Sequence, residues 1–148
     1  MTLRLRLIVP ISLAAGLMLS SCGEPEPTAA EAGQVLKSHI NQTMKNVWAT
    51  DVEVTDPGGK DIPCGSGKYK RTYAVKATSG AGSGNPETVI LMLVGALKGA
   101  GDYKLINTDV NATTQEAVGA QYRTRITVSS PAEGKIVARG ETDCLPLS

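Results

Sequence analysis

Catalysis by side chains needs a nucleophile, an acid–base group or a set of metal ligands, and this 148-residue chain is sparing with all three. His39 is its sole histidine. It borders an apolar helical stripe and has no acid–nucleophile pair near it in sequence, so it reads as a boundary residue. No serine stands in a Gly-x-Ser-x-Gly elbow. Glu141 and Asp143 share an outward strand face, but they neighbour Arg139 and the strand that carries Arg123 and Arg125. Cross-strand ion pairs are the simpler account. The glycines from Gly80 to Gly84 precede a helix and invite a phosphate-loop reading. A Walker loop requires Gly-x-x-x-x-Gly-Lys-Ser/Thr, which neither this stretch nor Gly65 to Lys68 supplies, so a flexible connector is expected. No catalytic, cofactor-binding or metal-binding residue is assigned, and the chain is read as a protein that is not an enzyme.

One thiol does sit in a reactive context. Arg4 and Arg6 form a short positive segment, Leu7 to Leu19 is an apolar run broken only by Pro10, Ser12 and Gly16, and Ser20 and Ser21 are small residues suited to cleavage. The run is too short to span a bilayer comfortably, which takes roughly 20 apolar residues. Leu19-Ser20-Ser21-Cys22 resembles the lipobox of bacterial lipoproteins. That resemblance implies a diacylglyceryl group on the Cys22 thiol and cleavage before Cys22, leaving it as the mature N-terminus. Buried acyl chains contribute about 0.8 kcal/mol per CH₂, so two or three chains on one residue make a lasting anchor. Residues 1–21 are then signal peptide, 22–28 a lipidated flexible tether, and 29–148 the folded domain, held at the extracytoplasmic face of the cell membrane.

Removing Arg4 and Arg6 leaves thirteen basic against fourteen acidic residues. That balance argues against nucleic acid as a partner, which calls for a markedly basic face. With Trp48, four tyrosines and no phenylalanine, the core has to be built from Val, Ile, Leu and Ala. Of the three cysteines, assigning Cys22 to lipid leaves Cys64 and Cys144, an even pair in an oxidising compartment, and a disulfide between them is expected. Two cysteines and one distant histidine do not make a zinc set.

These residues need elements to position them. Gly23 to Pro27 is acidic, proline-rich and extended. Thr28 and Glu31 fit a capping box, and Ala32, Leu36, Ile40, Met44 and Val47 form an amphipathic stripe, which predicts a helix over 29–46. Trp48 to Thr55 alternates as a half-buried strand, with Trp48, Thr50, Val52 and Val54 on one face. Asp56 to Gly59 is a turn, and Lys68 to Thr78 alternates again. Asn85 and Pro86 open a second helix through Val89 to Leu97, too short to cross a membrane and read as the most buried element. Strands are expected over 103–110, 120–129 and 135–144, with 111–119 a polar loop or short helical turn. The order α-β-β-α-β-β-β predicts an α+β fold, two helices on one face of a mainly antiparallel five-stranded sheet. Arg71, Arg123, Arg125, Arg139 and Lys135 would make the uncovered face either locally basic, fit for anionic headgroups or an acidic partner, or simply solvated.

The mature chain also resembles the small lipoproteins of mycobacteria and related actinobacteria, of the LppA-like kind. The likeness rests on the lipobox, the tether and leading helix, the Trp48 region, Cys64 in the middle loop and the closing Thr142-Asp143-Cys144-Leu145. It implies a cell-envelope lipoprotein with an α+β domain and no established enzymatic role, and it carries over no active-site residue. The expected function is a non-enzymatic binding or interaction module with a protein, lipid or cell-wall partner. An enzyme acting on an envelope substrate is the opposing class. A cleft with ionisable groups of shifted pKa would favour the enzyme, an apolar cleft lipid carriage, and no cleft a protein partner.

Overall fold

The computed structural model describes residues 25–80, 82, 84–106, 109 and 112–148, so the segment expected as a signal peptide, and Cys22, lie outside the described residues. Helix α1, Ala29–Asn46, starts at the expected capping box. The Thr28 hydroxyl accepts from the Glu31 amide, and the Glu31 carboxylate accepts from the Thr28 amide at 2.9 Å. Its stripe of Ala32, Leu36, Ile40 and Met44 is buried. Helix α2, Pro86–Ala100, is capped by the Asn85 side chain, which accepts from the amides of Glu87 and Thr88.

The strands are β1 (Thr50–Asp56), β2 (Ile62–Pro63), β3 (Tyr69–Lys70), β4 (Thr72–Thr78), β5 (Tyr103–Leu105), β6 (Thr114–Gly119), β7 (Thr124–Ser129) and β8 (Lys135–Thr142). The α+β class and the antiparallel pairing are as expected, but the main sheet has six strands, in the order β1-β4-β8-β7-β6-β5, with β2 and β3 as a separate ribbon. Strands β5 to β8 form a meander, and β8 then pairs with β4, which pairs with β1. One face of this sheet carries Tyr73, Val75, Ala77, Ala117, Ile126, Val128, Ile136 and Ala138. These pack with Leu36, Ile40, Val89, Ile90, Leu93 and Leu97 of the helices into one core. Fully burying each such aliphatic side chain contributes about 1.5–3 kcal/mol.

Several expectations about the elements are corrected. The segment expected as a loop at 111–119 contains β6. Its inward residues are the small Ala117 and the buried polar Gln115, so the alternation carries little hydropathy contrast. The strand expected over 68–78 breaks at Arg71. There the Thr142 amide donates to the Arg71 carbonyl and the Arg71 amide to the Thr142 hydroxyl, while Tyr69 bridges to Leu145. Of the strand expected over 103–110, Tyr103–Leu105 is strand, and residues 107, 108 and 110 lie outside the described residues; the strand expected over 120–129 begins only at Thr124 because Ala120 to Arg123 turn the chain.

Two further corrections concern burial. Strand β1 is an exposed edge, because α1 packs on β4, β7 and β8 and α2 on β5, β6 and β7, leaving β1 without a helix over it. It also carries two bulges, between Thr50 and Glu53 and between Val54 and Asp56. Bulges twist an edge away from chance pairing. Likewise α2 is not the most buried element, since Leu91 on its outer side is 62 % exposed.

Cys64 and Cys144 stand at disulfide distance, their Cα atoms 6.0 Å apart and 80 residues apart in sequence. In the chain-entropy model closing such a loop contributes roughly 4 kcal/mol. The pair ties the loop after β2 to the end of β8.

Candidate functional site

Residues that alternate with the core positions form the opposite, uncovered face of the sheet. They are Thr72 and Ala74 on β4, Arg139 and Glu141 on β8, Arg125 and Thr127 on β7, and Glu116 on β6. The ladder fixes their neighbours: Arg139 stands opposite Thr127 on one side and Ala74 on the other, and Arg125 stands opposite Glu141. Together with Asp56 at the end of β1 they line an open depression of about 520 Å³. A second depression, lined by Ala112, Thr113 and Thr114, shares Glu116, Thr127 and Arg139 with it.

Most charges on this face are matched. Arg125 donates to Glu116 at 2.6 Å, Lys70 to Glu141 at 2.9 Å, and Lys76 lies 3.0 Å from Glu53. Hydrogen bonding to Glu116, with its charge, holds Arg125 further toward the protonated form. Asp56 is held below the usual carboxylate range by the Thr72 hydroxyl, which donates at 2.5 Å, then by the Gly58 amide and the charge of Lys60. Arg139 makes no ion pair among the described residues and is exposed. Lys135, at the start of the same outward row of β8, also has no ion pair among the described residues and reaches only the Thr78 hydroxyl at 3.5 Å. Apart from these two cations the ion pairs compensate the charges of the central face, which is not broadly basic. Arg71 does not contribute to it, because its side chain pairs with Asp61 at 2.7 Å and lies close against Gly33 of α1.

The expected cross-strand pairs hold for Asp143, which accepts from Arg123 at 3.1 Å, but not for Glu141, whose partner is Lys70. Glu116 as the partner of Arg125 escapes a reading in which 111–119 is a loop. The period-two spacing of Gln115, Ala117 and Gly119 was the available signal.

His39 is not alone. Its Nδ1 lies 3.0 Å from the Tyr103 hydroxyl, which lies 3.0 Å from the Thr124 Oγ1, and the two rings meet edge to face. Burial lowers the His39 pKa and raises that of Tyr103, against the opposing Thr124 hydrogen bond. This chain runs beneath the helices, on the side of the sheet away from the depression, and ties α1 to β5 and β7. Among the described residues, no three His, Cys, Asp or Glu side chains converge as a metal set, and no helix is long and apolar enough to cross a membrane.

The last residues of the stretch read as a tether lie against the domain. Glu26 pairs with Arg123 and, at 3.5 Å, with Lys68. Pro27 and Thr28 are half-buried, and the Ala29 amide donates to the Pro146 carbonyl at 2.8 Å. Comparison with protein-family models, with curated proteins and with solved structures finds no match to this chain.

Proposed function

We propose that this protein is a cell-envelope lipoprotein, anchored through acylated Cys22, whose domain is a binding module for another envelope protein. The anchor reading is supported by the order of the positive segment, apolar run and Leu19-Ser20-Ser21-Cys22. The binding reading is carried by one observation: an uncovered sheet face, shallow and charge-matched, with Arg139 left unmatched between two depressions. A partner carboxylate would gain a charge-assisted, two-pronged hydrogen bond there. The hydroxyls of Thr72 and Thr127 line the same depression.

A lipid carrier would need an apolar cavity between helices and sheet, where Leu36, Ile40, Leu93 and Ile126 pack instead. An enzyme on an envelope substrate would call for a cleft whose ionisable groups burial has pushed toward neutrality. Among the described residues that character belongs to His39 and Tyr103, on the other side of the sheet.

A photocrosslinking residue at Thr127, in membranes of intact cells, is expected to trap a discrete protein partner. The same residue at Lys98 on the outer side of α2 should not. Arg139→Glu should abolish the Thr127 adduct while changing stability by no more than about 0.5 kcal/mol, as for an exposed site. Equal adducts from both positions, or a Thr127 adduct indifferent to Arg139→Glu, would refute the assignment of this face.

A further inference from the structure

The molecule has two distinct ends, and the short chain ahead of it leaves only one of them within easy reach of the membrane. At one end the start of α1 packs with Tyr69, Tyr122 and Leu145, beside the Ala120 to Arg123 turn, the Cys64–Cys144 pair and the C-terminal residues. At the other end, α1 gives way to Trp48. The Trp48 carbonyl lies so close to Gly80 that a Cβ there would come within 1.9 Å of it. The Ser79 amide donates to Gly134 and the Gly134 amide to Gly84, so the β7–β8 turn joins the same end. With 18 residues at about 1.5 Å each, α1 separates the two ends by about 27 Å.

From Pro25 onward the chain belongs to the first end. Glu26 sits between two cations, Arg123 and Lys68. Exposed pairs of this kind hold weakly one by one. Here, however, Pro25 and Pro27 stiffen the segment, and the capping box fixes Thr28 just behind it. Between Cys22 and Pro25 there are three peptide links, which reach at most about 11 Å when fully extended. The same end presents Leu147, 43 % exposed, together with exposed Ile62 and half-exposed Tyr122. These are side chains that tolerate a headgroup layer.

Resting on the reading of Cys22 as acylated, we infer that the domain is seated on the lipid headgroups by this end. The seat comprises the Ala120 to Arg123 turn, the loop at Cys64 and the C-terminal residues, and Glu26 acts as the clasp that sets the orientation. Trp48, 71 % exposed and the sole tryptophan, is then carried at the end remote from the membrane. The open sheet face runs between the two ends, so a partner reaches it from the side, close to the bilayer.

The single tryptophan makes the orientation measurable. The full lipidated protein is reconstituted in vesicles of phosphatidylcholine and phosphatidylglycerol, some bearing a nitroxide on the headgroup. Flotation with the vesicles, compared with Cys22→Ala, reports the anchor separately. In floated protein, Trp48 fluorescence is expected to be nearly insensitive to the nitroxide. A tryptophan moved to the seated end, in Trp48→Tyr/Leu147→Trp or Trp48→Tyr/Tyr122→Trp, should be quenched several-fold more. Glu26→Gln, or a Gly-Ser insertion between Glu24 and Pro25, should narrow that difference. Trp48 quenched as strongly as the relocated tryptophans, in protein that floats, would overturn the orientation and leave the anchor standing. Protein that does not float would overturn both.

Discussion

Burial lowers the pKa of His39 in the folded protein, and this has a consequence with a definite sign. Its folded pKa lies below the ordinary 6.5. Above pH 6.5 both folded and unfolded chains hold the ring neutral, and the stability is fully present. As pH falls below that value the unfolded chain takes up the proton first, so stability is lost until pH has passed through the folded pKa. Glu31 and Asp56, whose pKa values are lowered from 4.5 and 3.8, contribute stability above those values that is lost only in stronger acid. Urea unfolding should therefore show a lower midpoint at about pH 5.5 than at about pH 7.5. His39→Gln should flatten that slope, and a wild-type protein already flat over the interval would contradict the assignment.

Trp48 is the second residue whose state has a measurable cost. It follows the C-cap of α1 with a φ of 50°, a left-handed backbone that glycine favours there. For a residue with a Cβ that conformation costs about 1–2 kcal/mol. With its ring mostly in solvent, little packing offsets the cost. Trp48→Gly should raise stability by about 1 kcal/mol in chemical denaturation. A loss of similar size would mean that the indole contributes to the fold. Nothing in the sequence revealed either feature. Tyr103 and Thr124 are 64 and 85 positions from His39, and the alternation from Trp48 to Val54 suggests an inward tryptophan.

Among the elements, α1 and β8 approach closely at Gly140. A Cβ on Gly140 would lie 2.5 Å from the Leu36 Cδ1 and 2.8 Å from the Arg125 carbonyl. The leucine can shift, but the backbone of β7 cannot. Gly140→Ala should cost about 1–3 kcal/mol as overpacking, read by thermal or urea unfolding, and an unchanged midpoint would mean that the helix moves freely over the sheet. Elements with strong local signals were legible: the Thr28–Glu31 box, the Asn85–Pro86 start and the alternation in β4, β7 and β8. Those defined by their neighbours were not. Strand β6 is strand-like because β5 and β7 flank it, while Gln115, Ala117 and Gly119 supply little hydropathy contrast. Strand β1 looks half-buried in sequence and is exposed only because neither helix reaches that edge.

For the whole molecule, local pattern gave the class and the antiparallel habit but not the strand order. The pairing of β8 with β4 joins segments some sixty residues apart, and no short-range signal encodes it. The proximity of Cys64 to Cys144 followed from counting thiols once one was assigned to lipid, a chemical argument that needs no topology. The open face was legible as the outward half of each strand, whereas its charge matching was not, because that depends on which strands lie side by side. The clasp at Glu26 was hidden for a related reason: an acidic, proline-rich segment reads as free chain until Arg123 and Lys68 are brought to it.

The account of an anchored module turns on the mature N-terminus. Intact-mass and peptide mass spectrometry of the protein purified from its native membrane should find a chain that begins at Cys22 and carries the mass of a diacylglyceryl group. A chain retaining residues ahead of Cys22, or one beginning there with no acyl mass, would contradict it.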